Sequence, residues 1–438
     1  MSDEVWDQYP VLTVGNEIHL NPLGGTLFVQ GEPFKVIPAV AEFLSKCDGQ
    51  RTLRDAVPSS WNHDFEDVEF IGFAARAVDS GWLELRDVPV PHSARITGSR
   101  TAFYPPHMSI ELIERCNLRC DYCYRESDHS KTGHMPTTDL LDLIGRLCDA
   151  GLRTVELTGG EPMLHPHFSQ VLDFCASRME LVGVLSNGTV LGSDVAEQLA
   201  AMREQLIFSV SLDASTAEMH DARRGVKGAW LLTTRNIARL AALGVGCRVS
   251  MAVDERNFAD IEKTLLLARS LGARLFSYSP VLPFGRGKNV YSTNWRLRGK
   301  DVLAREAELA ARYRGFLGVL TGDAVCEVEG EGGCGAGHRT FCMDPFGNIR
   351  PCATFGPREL IFGNLLRQPM DEVFSHPAIS AMRKLRTPSP DFCGPCEHLG
   401  FCSYCPLRGL HAGESRPDCA WRKQNAVAEI LPVWSRPE

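Results

Sequence analysis

Long apolar runs are missing from this chain of 438 residues: no stretch reaches the roughly 18 apolar residues that a membrane-spanning helix needs. The opening MSDEVWDQYP lacks the basic start and apolar centre of a secretory signal, so the expected location is the cytoplasm, with no membrane partner. Basic excess is missing too. Lys and Arg number 46 against 54 Asp and Glu, a net charge of -8, which argues against a nucleic-acid binder. Residues 1–100 carry most of that imbalance, with 15 acidic and 8 basic side chains, and a solvated acidic surface is the simplest account of it.

Cysteine, by contrast, is abundant, with 16 in the chain. In a reducing compartment these thiols are expected as metal ligands, reactive groups or small core residues, not as a disulfide frame. Apolar content of 44% and charged content of 23% are ordinary for globular domains, and the length allows two or three.

Three segments are legible. Residues 1–92 read as a small winged-helix-like α/β module: VLTVGNEIHL and TLFVQ as strands, then three helices and a closing strand WLEL. Thr52 is placed to cap the second helix, and Gly81 to end the third. Residues 93–105 read as a linker. In 106–314 the strand patterns MSIEL, TVELT, LVGVLSN, FSVSL, CRVSMAV and LFSYSP alternate with amphipathic helical patterns. One helix is expected from Thr137-Thr138 through LLDLIGRLCDAG. Six such alternations predict parallel strands with helices outside, a partial (β/α)6 barrel whose chemistry lies at the C-terminal strand ends. Residues 315–438 are loop-rich and hold nine cysteines, which predicts a segment held by metal more than by an apolar core.

Directly after the first barrel strand comes ERCNLRCDYCYRES, with Cys116, Cys120 and Cys123 spaced C-x3-C-x2-C. A structural zinc site is closed by four ligands, and no Cys or His stands at a usual spacing for the fourth. A cubane [4Fe–4S] cluster has four irons, so three thiolates leave one iron open for a substrate or cofactor. A zinc loop or a reduced thiol cluster is the plainer alternative. Other stretches also fall at predicted strand ends: Gly159, Gly160 and Glu161 in ELTGGEP, Asn187 in LSNGT, and Ser211 and Asp213 in SVSLDAS, followed by HDARRGVKGAW. Glycines permit close approach of backbone to a ligand, and a carboxylate accepts bonds from an ammonium group.

With these motifs the barrel resembles the radical S-adenosylmethionine (SAM) superfamily. The resemblance implies that Cys116, Cys120 and Cys123 hold a [4Fe–4S] cluster whose open iron chelates SAM, and that its reduction releases a 5′-deoxyadenosyl radical. It implies further that Tyr122 lies against the adenine, that Gly159, Gly160 and Glu161 meet the amino group, and that Asn187 is a polar contact. Ser211 and Asp213 are expected near the ribose, and Arg224 at the SAM carboxylate, with Arg223 as the alternative. His220 and Asp221 read as loop-shaping residues.

The tail, CGAGHRTFCMDPFGNIRPC then CGPCEHLGFCSYC and DCAW, resembles the SPASM extension of radical SAM peptide-modifying enzymes, and LPFGRG at 282–287 is similar to the stretch that precedes it. That resemblance implies two auxiliary [4Fe–4S] clusters, three in all. Cys326, Cys334, Cys352 and Cys405 are assigned to the nearer one and Cys393, Cys396, Cys402 and Cys419 to the farther. Two departures stand out. Cys402 and Cys405 are one residue closer together than in the family pattern, and Cys342 is an extra thiol, read as core or as a substitute for Cys326. A zinc ribbon is the alternative for the tail. Cys47, Cys148, Cys175 and Cys247 read as core.

The front module resembles the PqqD-like recognition element of ribosomal-peptide modifying systems, through PAVAEFLSKCDGQRTLRDAV and AVDSGWLEL. In that family a leader peptide adds as a strand to the sheet edge and packs on the third helix; a purely structural cap is the alternative. Together these features imply a radical SAM enzyme that binds a precursor peptide by its leader and oxidatively crosslinks a core residue through a thioether or carbon–carbon bond. A flavodoxin or ferredoxin is the implied reductant. Two other readings stay open: a maturase acting on a protein residue or making a small redox cofactor, and a non-catalytic iron–sulfur peptide-binding or redox-sensing protein.

Overall fold

The computed structural model describes residues 3–59, 61, 67–90, 95–290, 299–318, 335–356, 360–396, 398–402, 405–414, 416 and 418–424. It divides into two compact units, residues 1–104 with 149–151, and 105–148 with 152–438.

In the first unit, β1 (Tyr9–Leu12) pairs antiparallel with β5 (Leu83–Arg86). A second sheet has the order β4-β3-β2-β6, built from β2 (Glu17–Asn21), β3 (Gly24–Val29), β4 (Glu32–Val36) and β6 (Arg95–Gly98). Gly24 allows the tight entry into β3: at φ +124 its backbone passes so near Val36 that a Cβ there would lie 2.1 Å from the Val36 carbonyl oxygen. Helices α1 (Pro38–Lys46), α2 (Leu53–Ala56) and α3 (Asp67–Asp79) cover the core. Thr52 caps α2 by accepting from the Asp55 N–H, and Gly81 takes φ +71 after α3. Leu12, Ile18, Leu27, Phe43, Leu44, Cys47 and Phe70 fill the interior. Two strands went unseen in the sequence. β4 does not alternate in burial, being exposed from Glu32 to Lys35. β6, in the stretch read as linker, pairs parallel with β2.

The second unit contains the expected six parallel strands: β7 (His107–Glu111), β8 (Thr154–Thr158), β9 (Leu181–Ser186), β10 (Leu206–Ser211), β11 (Cys247–Val253) and β12 (Leu275–Pro280). Parallel neighbours need a crossover, and helices supply it: α4 (Thr137–Asp149), α5 (Phe168–Arg178), α6 (Ser193–Ala201), α7 (Ala217–Arg224), α8 (Ala229–Ala242) and α9 (Ile261–Ser270). α4 shows why each helix lies on the sheet: Leu140, Leu143, Ile144 and Leu147 recur at helical spacing and are all buried. Strands follow sequence order from β12 to β7 without closing, and at β7 the sheet continues into the tail.

β13 (Thr340–Met343) pairs parallel with β7, and β14 (Asn348–Arg350) and β15 (Gly363–Asn364) follow antiparallel. The first tail strand thus extends the barrel sheet. Nor is this part of the tail without an apolar core, contrary to the loop-rich sequence reading: Phe341 packs edge-on against Phe362 and Phe374. Its elements are short and its aromatics far apart in sequence, so no periodicity reveals them. Among the described residues no helix is long and apolar enough to cross a membrane.

Candidate functional site

The loop after β7 carries Cys116, Cys120 and Cys123, which gather with Leu118, Tyr122 and Ala229. Exposure alternates along it: Arg115, Asn117 and Arg119 face solvent while Cys116 and Cys120 are buried. Other elements clamp its backbone. Arg286, from the LPFGRG stretch, donates to the Cys120 carbonyl at 2.7 Å and the Ser127 carbonyl at 2.8 Å. The Arg119 and Asp121 N–H groups donate to the carbonyls of Arg224 and Arg223, each at 3.0 Å.

Three N–H groups point at the sulfurs. Cys116 Sγ accepts from Leu118 N at 3.4 Å and Asn187 Nδ2 at 3.7 Å, and Cys120 Sγ from Arg224 Nη1 at 3.7 Å. Burial pushes the Cys116 thiol up to about 12, whereas a metal ion deprotonates a thiol outright, and N–H donors aimed at sulfur suit the thiolate. Among the described residues no three His, Cys, Asp or Glu side chains are grouped to hold a single metal ion. Three thiols on one loop leave one iron of a [4Fe–4S] cluster without a protein thiolate, whereas a structural zinc site is closed by four ligands.

The ends of β8, β9 and β10 surround this loop. Gly159 takes φ +135 and, with Gly160, runs against it; a Cβ on Gly160 would lie 2.2 Å from the Arg115 carbonyl oxygen and 2.5 Å from that of Glu114. Backbone cannot yield there, so Gly160→Ala is expected to displace the loop and weaken SAM binding at least about tenfold, read by equilibrium dialysis of the reconstituted protein. Wild-type affinity in that variant would remove the close approach from the binding argument.

Glu161 is fully buried, and its carboxylate accepts from Ser186 Oγ at 2.9 Å, Asn187 N at 2.8 Å and Met163 N at 3.3 Å. Burial pushes it up to about 7 against those bonds. Both oxygens accept from the chain, tying the end of β8 to β9, and Oε2, which accepts one bond among the described residues, keeps a lone pair for the ammonium group that the sequence led us to expect. Asn187 bridges onward to Asn117 Oδ1 at 2.9 Å.

Asp213 gathers the rest. Its Oδ2 accepts from the Tyr122 hydroxyl and lies 2.9 Å from Arg224 Nε, while Oδ1 accepts from Ala252 N at 3.0 Å. Burial acts to raise this carboxyl, but Arg224 and Arg223 outweigh it and hold it below the usual range. Both guanidinium groups lie over the Tyr122 ring, at 5.0 and 5.6 Å from its centroid. The two arginines differ in use. Arg223 is committed to Asp254 at 2.6 Å and the Ala252 carbonyl at 3.0 Å, whereas Arg224 faces the Cys120 sulfur. Ser211 ends β10 half-buried, with no side-chain partner among the described residues. His220 accepts from the Asp213 N–H, and Asp221 accepts from Gly228 N and Trp230 N, so both shape the loop.

The sequence reading passed over three histidines. His165, four residues after Glu161, is buried, with His134 and His167 rings 5.4 and 6.5 Å away. Burial first, then these neighbours, push it down to about 4. The HPH triplet beside GGEP could have flagged His165 and His167, but not His134.

In the tail Cys393, Cys396, Cys402 and Cys419 line one cavity of about 400 Å³, together with His398 and Trp421. Cys405 is not among its lining residues. Its charge acts on both the Cys352 and the Cys402 thiols, and its N–H donates to the Cys402 carbonyl at 3.1 Å. Cys326 and Cys334 lie outside the described residues. Cys342 is fully buried on β13, its sulfur 3.5 Å from Arg350 Nη2. Cys47, Cys148, Cys175 and Cys247 are buried as well.

Comparison with known proteins adds to this geometry. The Radical SAM superfamily profile matches residues 110–268, and the SPASM profile, an iron–sulfur cluster-binding domain, matches 334–397. The antilisterial bacteriocin subtilosin biosynthesis protein AlbA of Bacillus subtilis is 31% identical over 97% of this chain and 98% of its own length. The mycofactocin maturase MftC of Mycobacterium tuberculosis is 30% identical over 68% of this chain and 77% of its own. Among solved structures, Streptococcus suis SuiB bound to precursor peptide SuiA superposes with TM-score 0.63 at 15% identity, covering 92% of this chain and 97% of that one. At that identity the likeness shows the fold alone.

Proposed function

Because this chain belongs to the radical SAM superfamily and carries a SPASM iron–sulfur domain, we propose that it oxidatively crosslinks a ribosomally made precursor peptide held by its leader. The observation that carries this reading is the presence in one chain of the three-thiol loop at the strand ends and the four-thiol cavity in the tail. Cys116, Cys120 and Cys123 would hold a [4Fe–4S] cluster, which together with SAM would supply the chemistry for removing one hydrogen atom from the peptide. A crosslink removes two hydrogens, so a proton and an electron must also leave, and clusters that the tail thiols would hold would suit an electron acceptor. This oxidative outcome makes the protein an oxidoreductase, with a flavodoxin or ferredoxin as its electron source.

The chain's own residues bind and orient. Gly159 and Gly160 let the end of β8 lie against the backbone of the cluster loop, Arg224 sets a cation beside the Cys120 sulfur, and Asp213 fixes that guanidinium and Tyr122 together. Incubation with reductant, SAM and a synthetic precursor peptide tests the function: it should yield 5′-deoxyadenosine and a peptide lighter by two hydrogens per crosslink. Turnover of SAM with every leader-bearing candidate left unchanged would overturn it.

We assign leader capture to the first unit. β6 covers the β2 side of its sheet, while among the described residues β4 pairs only with β3, which leaves its other edge open to a peptide strand. Phe34, 43% exposed on β4, stands beside Trp82 with ring centroids 6.2 Å apart, an apolar surface for a peptide side chain. Phe34→Ala should weaken leader binding about tenfold in fluorescence titration, the worth of one buried aromatic contact, without slowing SAM cleavage in the absence of peptide. Undiminished leader affinity would move the binding surface elsewhere.

A further inference from the structure

The inner face of the partial barrel carries a polar layer that the reaction above leaves without a role. Parallel strands covered on both faces read as apolar throughout. β10, β11 and β12 do so on one face only. Phe208 and Val210, Val249 and Met251, and Phe276 are buried on the face where α8 and α9 pack. Side chains alternate along a strand, so the residues between them face the barrel interior: Ser209 and Ser211 on β10, Arg248 and Ser250 on β11, Ser277 on β12. Strand register sets these in rows. Ser209 stands beside Arg248, and Ser211, Ser250 and Ser277 form the row nearer the C-terminal strand ends, with the Ser250 and Ser277 hydroxyls 3.2 Å apart.

Two groups of this layer are stranded. Ser209 is 4% exposed and its Oγ has no hydrogen-bond partner; Arg248 is half-buried, with Nε fully covered and also without one. Among the described residues the Arg248 side chain forms neither a hydrogen bond nor an ion pair. Carboxylates at the ends of the same strands are already engaged: Asp213 by Arg224 and Tyr122, Asp254 by Arg223 and Arg256. Glu156, on the inner face of β8, accepts from Ser109 Oγ at 3.0 Å. A guanidinium this enclosed, with no anion, costs free energy that a bound anion would recover. Its paired N–H donors match a carboxylate, and neighbouring hydroxyls can complete that carboxylate's hydrogen bonds.

Depth suits a substrate. Ser211 ends β10 at the strand ends where the three-thiol loop lies, and the row of Ser209 and Arg248 is two residues deeper, about 7 Å along the strand. A peptide carries carboxylates on its acidic side chains and at its C-terminus. We propose that Arg248, with the hydroxyls of Ser209, Ser250 and Ser277, binds a carboxylate of the core peptide and thereby fixes which residue is presented at the cluster loop. This rests on the reading that a precursor peptide is the substrate.

The test is steady-state crosslinking by the reconstituted full-length protein. Its probes are a synthetic precursor peptide and a series in which one carboxylate at a time is neutralised, each acidic core side chain as its amide and the C-terminus by amidation. One of these peptides should raise KM at least about tenfold, and which one it is distinguishes a side chain from the C-terminus. Arg248→Gln should raise KM for the unaltered peptide equally, and that neutralisation should then cost nothing more, the coupling expected of a direct contact. SAM affinity should stay at the wild-type value. Should Arg248→Gln not retain iron, Arg248→Lys, which keeps the charge but not the paired donors, replaces it in that comparison. A peptide series in which no neutralisation changes the wild-type KM overturns the proposal without any protein variant. Unchanged KM in the Arg248 variant overturns it too, as does a loss of SAM affinity in place of peptide affinity. Failure of the underlying reading is separate and visible in the wild type, which would then crosslink none of the leader-bearing peptides.

Discussion

Replacing Cys116, Cys120 or Cys123 singly with alanine should abolish 5′-deoxyadenosine formation and remove about 4 irons per chain. These thiols sit on one loop, which Arg286, Arg223 and Arg224 hold through its backbone, and N–H donors already face two of the sulfurs. With all other cluster-loop residues in place, two thiolates cannot retain a cubane that needs three. Alanine at Cys393, Cys396 or Cys419 gives the contrasting result. Those sulfurs line the tail cavity, so SAM cleavage should persist while crosslinked peptide per 5′-deoxyadenosine falls. Quantifying iron, 5′-deoxyadenosine and peptide mass on one set of samples checks both. Radical formation in the Cys116→Ala chain would sink the assignment of the barrel site.

Asp213→Asn should cost about 3–5 kcal/mol of stability, seen as a lower urea midpoint for the second unit. The carboxylate is wholly buried and offsets Arg224, so its removal takes away that guanidinium's ion-pair partner. pH separates this from a mere packing defect. The folded carboxyl lies below its ordinary value, so its stabilising share is present at neutral pH, above the unfolded value. That share is lost as pH falls through the folded one. The gap between wild type and variant should therefore narrow in acid. A gap that is constant with pH would mean that the ion pair is not what Asp213 contributes.

Much of this molecule was legible from one dimension. The six barrel strands were readable because parallel strands buried on both faces are short, apolar and regularly interrupted by helices. The thiols of the barrel loop were readable because ligands from one loop must be near neighbours in sequence. Arg224 could be preferred over Arg223 from sequence, but only the fold shows Arg223 consumed by Asp254, 31 residues on. β4 escaped because an edge strand exposed on both faces has no alternation to read. β13 escaped as part of the barrel sheet because its partner, β7, lies more than 200 residues earlier.

What the sequence determined by itself, then, is the chemistry: the thiol spacing, the strand-end glycines and carboxylates, and the order of α and β elements, all local patterns set by backbone period and ligand geometry. Tertiary structure alone decided which charges meet. It made Glu161 tie two strand ends, brought Cys405 within reach of both Cys352 and Cys402, and joined Glu111 to Arg350 across 239 residues. Such pairings depend on where distant segments come to lie, and in a dry interior each contact carries far more energy than any local preference that shaped the segments.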